Sequence, residues 1–167
     1  MREVNFKNDV LPLKDLIYRL ALRITLNNED AEDIVQDSLI RIWNELKTKD
    51  IDNIKAFAIT VCRNHALDLV EKKERRNVSF DSESHDSADY NQSPDRLLEQ
   101  KEQMASLNRL IDGLPEKQRT AIQLRDIEGR TYKEIAVVMG ISEADVKVNI
   151  FRARQKIKEN LTIRDLT

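Results

Sequence analysis

Hydrophobic residues in the first part of the chain recur at the spacing of helical turns. The stretch from Ala31 to Leu46 shows this most clearly, because apolar and small residues fall at i, i+3, i+4, i+7 and i+8. Such a stripe predicts one face of an amphipathic helix. Shorter stripes from Leu13 to Ile24 and from Phe57 to Leu69 predict a helix on either side of it. We therefore expect three helices that enclose one small core.

The second half of the chain begins with another apolar stripe, which runs from Leu97 to Leu110. Gly113 is placed to end this helix, and Pro115 fits the first position of the next one, where its missing N–H is not needed. Gly129 then marks the end of that second helix. The pattern predicts two helices before residue 130.

Two further helix starts follow at short spacing. Thr131 with Glu134, and Ser142 with Asp145, have the spacing of a capping box, in which a side-chain oxygen accepts a backbone N–H at a helix start. Gly140 lies between the two starts and supplies a turn. Two helices joined by a short turn with glycine are typical of a helix-turn-helix.

Residues 77–94 separate the two helical regions. This segment reads NVSFDSESHDSADYNQSP, with no Lys or Arg and few large apolar side chains. Because it cannot bury enough apolar surface to order itself, we predict a flexible acidic linker. The resulting domains are 1–76, the linker 77–94, and 95–167.

Composition supports an all-α fold of two small helical domains. The 167 residues include three Gly and three Pro, whereas a β-sandwich or barrel needs turn residues at regular intervals. The single cysteine, Cys62, cannot form an internal disulfide, and the N-terminus lacks the apolar region of an export signal. We expect a cytoplasmic protein without membrane insertion, because no apolar run approaches the length of a bilayer span.

The net charge of −2 conceals a local cationic region. Five positive side chains and no acidic one lie between Lys147 and Lys158. Phosphate binding requires this kind of local concentration even in a chain that is acidic overall.

The predicted second helix of the helix-turn-helix carries apolar residues on its outward side. On a helical wheel, Val148 and Phe151 lie between Lys147 and Arg152, opposite the inward-facing residues. This arrangement suits a helix in a DNA major groove. The alternative is a solvated helix end whose cations complement the helix dipole.

One apolar residue of the Ala31 to Leu46 helix lies on its polar side. Ile40 is surrounded on the wheel by Asp33, Gln36 and Asp37. An apolar side chain with a polar rim resembles the anchor of a protein interface. A single exposed isoleucine is also common on ordinary protein surfaces.

Few residues of this sequence could form a catalytic site. Asp30, Asp33 and Asp37 could be metal ligands together with His65 or His85, but no Glu-x-x-His pair of the di-metal helical type is present. A Gly-rich phosphate loop is also missing from the sequence. We therefore predict no catalytic residue, no metal and no cofactor.

Two segments resemble a known family. DAEDIVQDSLIRIW, residues 30–43, and LPEKQRTAIQLRDIEGRTYKEIAVVMGISEADVKVNIFRARQKI, residues 114–157, are similar to the two conserved domains of the extracytoplasmic-function sigma factors. The resemblance implies an alternative sigma factor that binds core RNA polymerase and directs promoter recognition, strand opening and transcription initiation. It also implies an anti-sigma factor as a regulatory partner.

The resemblance further implies three sets of site residues. Polymerase binding is assigned to the outward face of the second helix, with Asp33, Gln36, Asp37, Ile40 and Arg41. Binding of the minus-10 DNA strand is assigned to Lys55, Phe57, Arg63, Asn64, Lys72, Arg75 and Arg76, with Asn64 in the pocket for a flipped base. Binding of the minus-35 duplex is assigned to Arg130, Tyr132, Lys133, Lys147, Val148, Phe151 and Arg152.

The sequence departs from the family pattern in two places. Phe57 stands where the family often has Trp, and Ala144, Asp145 and Asn149 replace the usual basic and small residues early in the recognition helix. The promoter sequence therefore cannot be transferred from a relative. A stand-alone helix-turn-helix regulator is the alternative function, but it leaves residues 30–43 unexplained.

Overall fold

The computed structural model describes residues 5–76 and 98–165, and it describes side chains for 5–76 and 100–161. Every regular element in these ranges is helical. The chain divides into two compact units, Met1–Ser87 and Ala88–Thr167, which are treated separately below. The predicted linker 77–94 lies outside the described residues, so its flexibility and the exact domain bounds stay predictions.

The first unit contains the three predicted helices. They are α1 (Lys14–Thr25), α2 (Asn28–Thr48) and α3 (Ile54–Arg76), and each packs against the other two. A π turn at Phe6–Val10 and a 3-10 turn at Leu11–Leu13 precede them. The largest buried side chains of this core are Ile17, Leu20, Leu22, Ile24, Ile42 and Ile59.

Local side-chain chemistry determines where α2 begins. The Asn27 side chain accepts a hydrogen bond from the backbone N–H of Asp30 at 2.9 Å and satisfies an otherwise unpaired donor. Leu26 ends α1 in the left-handed conformation, with φ 59°, and its N–H donates to the Leu22 carbonyl at 2.8 Å. These two neighbouring residues make the sharp turn between α1 and α2.

The described residues of the second unit form four α-helices. They are α4 (Leu98–Asp112), α5 (Glu116–Ile122), α6 (Tyr132–Met139) and α7 (Glu143–Asp165). One hydrophobic cluster joins α4, α5 and α7 through Ile111, Leu114, Ile122, Ala153 and Ile157. Ile135, Val146 and Ile150 are buried where α6 packs against α7.

Both predicted capping residues of the helix-turn-helix are confirmed. Thr131 Oγ1 accepts the N–H of Glu134, and Ser142 Oγ accepts the N–H of Asp145, each at 3.0 Å. Gly140 ends α6 in the left-handed conformation with φ 66°. The two helices and the turn that joins them therefore form as predicted.

Two details of α5 differ from the prediction. Pro115 is the cap residue before α5 rather than its first helical residue, because its ψ of 149° is extended. The regular helix also ends at Ile122, and the chain continues as a π turn at Gln123–Ile127 before Gly129. The apolar spacing did not reveal this widened turn.

Within the described ranges, no helix has both the length and the apolar character that a membrane span requires.

The turn at Gly140 supports a stability prediction. A Cβ at this position would meet no atom within 4 Å, so Gly140→Ala tests the left-handed backbone alone. We expect a loss of about 1 kcal/mol in the free energy of unfolding of the second unit, or roughly 4–8 °C in its midpoint. Circular dichroism would show the shift, whereas fluorescence of Trp43, the chain's single tryptophan, should keep its midpoint.

Gly113→Ala is the matched control. Gly113 lies outside the left-handed region, and its new Cβ would sit 3.6 Å from the carbonyl oxygens of Arg109 and Leu110, which is an ordinary contact. Equal destabilisation by the two substitutions would contradict the role given to the backbone conformation of Gly140.

Candidate protein and nucleic-acid interfaces

The outward side of α2 presents an apolar residue inside a polar ring. Ile40 is 60% exposed, whereas Ile42 is fully buried two residues later. The neighbours of Ile40 on this side are exposed, namely Asp33, Gln36, Asp37 and Arg41. The structure therefore brings together on one helix face the five residues assigned to polymerase binding.

Arg41 lies at the border between α2 and α3. Its Nη1 is 3.4 Å from Nε2 of His65 on α3. Lys49 caps the end of α2, and its ammonium lies 2.8 Å from the Glu45 carboxylate. This contact lowers the pKa of Glu45, and Arg41 adds a smaller effect in the same direction. Arg41, Glu45 and Lys49 therefore have polar partners along the helix or on α3.

The α3 helix exposes most of the residues assigned to single-strand binding. Phe57 is half-buried near its start, and the exposed members of the set are Lys55, Asn64, Lys72, Arg75 and Arg76. Arg75 pairs with Glu71 at 2.5 Å, and Lys73 forms an ion pair with Asp30 of α2. The last turns of α3 are thus a cationic surface that is partly held by internal ion pairs.

Arg63 does not share this surface. It is 8% exposed, and it lies on the same side of α3 as Ile59 and Ala66, which are four residues earlier and three residues later. Helical periodicity therefore places the Arg63 side chain on the side of α3 that faces the core of the unit. The structure places Arg63 apart from the exposed cations with which the sequence interpretation grouped it.

Cys62 is also on the buried side of α3. Its thiol donates to the Ile17 carbonyl oxygen, with 3.4 Å between sulfur and oxygen. Burial raises the pKa of the Cys62 thiol to about 12, because the thiolate would lose its hydration inside the unit. The thiol is therefore a small core group rather than a nucleophile.

In the second unit, α7 has a buried and an outward side. Val146, Ile150 and Ala153 are buried against the other helices. The outward side carries Phe151, which is 66% exposed, and Val148, which is 43% exposed. The cations beside them on this side, Lys147 and Arg152, are exposed as well.

The start of α6 lies beside this outward side. Lys133 is exposed, and the guanidinium of Arg130 is 3.6 Å from the Glu134 carboxylate. The ring of Tyr132 has the Lys147 ammonium 5.4 Å from its centroid. Tyr132 and Lys147 therefore connect α6 with α7 at the surface assigned to duplex binding.

Arg125 is a functional candidate that the sequence analysis missed. Its guanidinium carbon lies 4.1 Å from the centroid of the Tyr132 ring. Arg125 belongs to the π turn and is separated from α6 by a loop, so no periodic pattern in the sequence connects the two residues. Only the folded structure shows that they stack.

One cation of the Lys147 to Lys158 run is paired inside the unit. Arg154 donates from Nε to the Asp126 carboxylate at 3.0 Å, and this hydrogen bond raises the pKa of Arg154. The pair joins α7 to the π turn. Arg154 is therefore engaged with a partner inside the unit, whereas the run of cations alone suggested that it would bind phosphate.

An apolar groove of about 470 Å³ lies next to this pair. Its floor and walls come from α4, α5, the π turn and α7, with Leu107, Ile111, Ile122, Ile127, Ile157 and Leu161. Asp126, Arg154 and Lys158 supply polar groups at the groove. A groove of this composition suits apolar side chains of a partner better than a charged ligand.

Asp30 of α2 is engaged with Lys73, and the described residues contain no group of three or more potential metal ligands. His85, the other histidine that was considered, lies outside those residues.

Both units match known families. Residues 10–76 match sigma-70 region 2, and residues 104–157 match sigma-70 region 4. The ECF RNA polymerase sigma factor SigM of Bacillus subtilis is 32% identical over 144 residues, which cover 85% of this chain and 86% of SigM. The SigE protein of Mycolicibacterium smegmatis is 30% identical over 148 residues, which cover 88% of this chain but 58% of SigE.

Solved structures share the fold. The sigma factor RpoE of Bartonella quintana, solved in complex with the anti-sigma factor NepR, matches with a TM-score of 0.80 at 24% identity, covering 95% of this chain and 97% of RpoE. CnrH, solved with the cytosolic domain of CnrY, matches with a TM-score of 0.69 at 22% identity, covering 95% of this chain and 88% of CnrH.

The two regions, their order and these relatives define a transcription initiation factor. The chain belongs to the sigma-70 family, and within that family to the extracytoplasmic-function (ECF) sigma factors.

The buried state of Cys62 gives a chemical prediction. At pH 8 a pKa of about 12 leaves a thiolate fraction about three orders of magnitude below that of an ordinary thiol. We expect a thiol reagent such as DTNB to label the native chain far more slowly than the chain in denaturant. Absorbance at 412 nm measures both rates.

The control places a thiol on the surface of the same unit. Asn44→Cys in a Cys62→Ala background puts it at an exposed position of α2, and it should react at the rate of a free thiol. Native labelling of Cys62 at a similar rate would contradict the burial described above.

Proposed function

We propose that this chain binds core RNA polymerase through its first unit and directs the enzyme to promoters through both units. The observation that carries the proposal is the pair of outward faces, one with Ile40 on α2 and one with Phe151 on α7. Both expose an apolar side chain among polar or cationic groups. One face suits a protein partner and the other suits a DNA duplex.

The docking step is assigned to the α2 face. Full burial of an isoleucine side chain contributes about 1.5–3 kcal/mol of favourable free energy. Because Ile40 is 60% exposed, a partner that covers it can still gain a large part of this energy. Asp33, Gln36 and Asp37 form a rim that can pair with polar groups of the polymerase. Arg41 adds a cation at the side of the face that borders α3.

Capture of the opened minus-10 strand is assigned to α3. Asn64 is exposed, and its amide can pair with a base edge, while half-buried Phe57 offers an aromatic surface near the start of the helix. Lys55, Lys72, Arg75 and Arg76 are exposed and can hold the strand's phosphates. Arg63 is left out of this set because it is buried.

Recognition of the minus-35 duplex is assigned to the helix-turn-helix. Lys147, Val148, Phe151 and Arg152 lie on the outward side of α7, the helix that would enter the major groove. Tyr132 and Lys133 begin α6, Arg130 lies just before it, and all three can contact phosphates beside α7. The polymerase would supply the metal ions and form the bonds, so this chain needs no catalytic residue.

An anti-sigma factor is the expected regulator. The apolar groove of the second unit is open to a partner's apolar side chains, and the similar RpoE was solved with an anti-sigma factor. We place the chain's activity in the cytoplasm, where polymerase and promoters are found. A stand-alone helix-turn-helix regulator would use α7 but would give no role to the α2 face.

The docking face can be tested by reversing its chemistry. Ile40→Asp removes the apolar anchor and Asp37→Arg inverts a rim charge, so each should weaken capture of core polymerase at least about ten-fold. Binding of the purified chain to immobilised core enzyme measures the effect, and circular dichroism checks that the unit stays folded.

Leu11→Asp is the control, because Leu11 is also an exposed apolar residue of the first unit but lies outside α2. It should leave capture unchanged. Failure of the wild-type chain to bind core polymerase, together with tight binding to duplex DNA by itself, would instead support the stand-alone regulator.

The recognition helix can be tested with a matched pair of cation deletions. Arg152→Ala should weaken binding of the polymerase complex to its promoter by about ten-fold, since a base or phosphate contact contributes roughly 1–3 kcal/mol. Lys156→Ala removes the same charge one helical turn further along α7, from a residue outside the assigned set, and should have a much smaller effect. Equal losses would indicate that only the total charge of α7 matters.

A further inference from the structure

Three side chains from three elements form a stack beside the recognition helix. Arg125 of the π turn lies 4.1 Å from the centroid of the Tyr132 ring, and the Lys147 ammonium of α7 lies 5.4 Å from the same centroid. Both distances are within the range of cation–π attraction. The ring therefore joins a residue of the π turn to a residue of the recognition helix.

Arg125 makes a second contact in addition to the ring. Its Nη1 donates to the Arg130 carbonyl oxygen at 2.9 Å, so both a backbone oxygen and the ring hold the guanidinium. The backbone of the π turn is closed by two bonds, from the N–H of Glu128 to the Gln123 carbonyl at 3.0 Å and from the N–H of Arg130 to the Leu124 carbonyl at 2.8 Å. Gln123 is itself buried, and its amide donates to the Glu128 carboxylate at 3.0 Å.

The stack limits the freedom of Lys147. A lysine on an exposed helix face ordinarily samples many rotamers, and this freedom is lost when its ammonium contacts a base. A planar guanidinium against the ring keeps the aromatic plane in place, which a lysine could not do as well because its ammonium is compact and does not stack. With this contact, Lys147 samples fewer rotamers in the free chain than an exposed lysine without it would.

We propose that Arg125 and Tyr132 are positioning residues for Lys147, and that their stack sharpens the base preference of the recognition helix at the base pairs Lys147 reads. The proposal rests on the proposed duplex-reading role of α7. Arg125 acts here through the ring and the lysine, so its replacement should affect the same base pairs as the loss of Lys147.

The first measurement examines the stack in the free chain and needs no DNA. In the full-length protein with 13C-labelled lysine, the ε-methylene protons of Lys147 should resonate upfield of the other lysines because the ring shields them. Lys147→Arg identifies the signal. Tyr132→Leu should remove the upfield shift and Tyr132→Phe should keep it, with circular dichroism as the check on folding.

Arg125→Lys should reduce this shift while keeping the net charge. Arg109→Lys is the control, because Arg109 is exposed on α4 and has no part in the stack. A wild-type Lys147 signal among the unshifted lysines, or a shift that survives Tyr132→Leu, would overturn the proposed stack.

The second measurement examines base preference. Polymerase with the wild-type or variant chain would select from promoters with a randomised upstream element, followed by sequencing. Arg125→Lys should lower the preference at the positions changed by Lys147→Ala by about two- to five-fold, the size of an exposed cation–π contact. The double variant should lose little more than Lys147→Ala alone.

A uniform loss at all positions, or additive losses in the double variant, would overturn the positioning role and indicate that Arg125 contacts DNA by itself. Absence of any upstream base preference with the wild-type chain would refute the proposed function of α7 and the reading role of Lys147. The resonance shift would then still report the stack, so the two failures are distinguishable.

Discussion

A helix in a small bundle can bury only one of its sides, and this constraint determines where the protein can bind partners. In α2, Ile34 and Ile42 fill the core, so Ile40 cannot join them and must face outward. In α7, the burial of Val146 and Ile150 has the same consequence for Phe151. In each unit, one side of the helix is buried in the core, and the apolar residue on the opposite side is therefore exposed.

The positions of these helices depend on short turns. Asn27 and Leu26 set the direction from which α2 enters the first unit. Thr131, Gly140 and Ser142 perform the corresponding task for α6 and α7. The π turn before α6 adds a second element beside the recognition helix, because it carries Arg125 onto the Tyr132 ring. Placement of the outward side of α7 therefore depends on residues that are not part of that side.

Periodicity and capping chemistry were sufficient to predict the three-helix unit, the helix-turn-helix and the outward faces of α2 and α7. They were insufficient to predict features that depend on the local backbone conformation. The π turns at Phe6–Val10 and Gln123–Ile127 depart from the 3.6-residue spacing on which the prediction was based. Leu26 in a left-handed conformation has no sequence signal, since glycine or asparagine is usual there.

The placement of Arg63 shows a different limit of the sequence interpretation. The family resemblance grouped it with exposed cations, but its spacing from Ile59 and Ala66 places it on the buried side of α3. The contact between Arg125 and Tyr132 could not be inferred by any such spacing, because a loop separates them. Contacts across loops depend on tertiary structure, whereas contacts along a helix can be read from the sequence.

Transcription reconstituted from purified parts tests the central claim most directly. Core RNA polymerase would be supplied with fragmented bacterial genomic DNA in the presence or absence of this chain, and the 5′ ends of the transcripts would be sequenced. The account predicts a set of discrete start sites that require the chain and share upstream sequence elements. Identical start sites with and without the chain, although it is folded and present in excess, would contradict it.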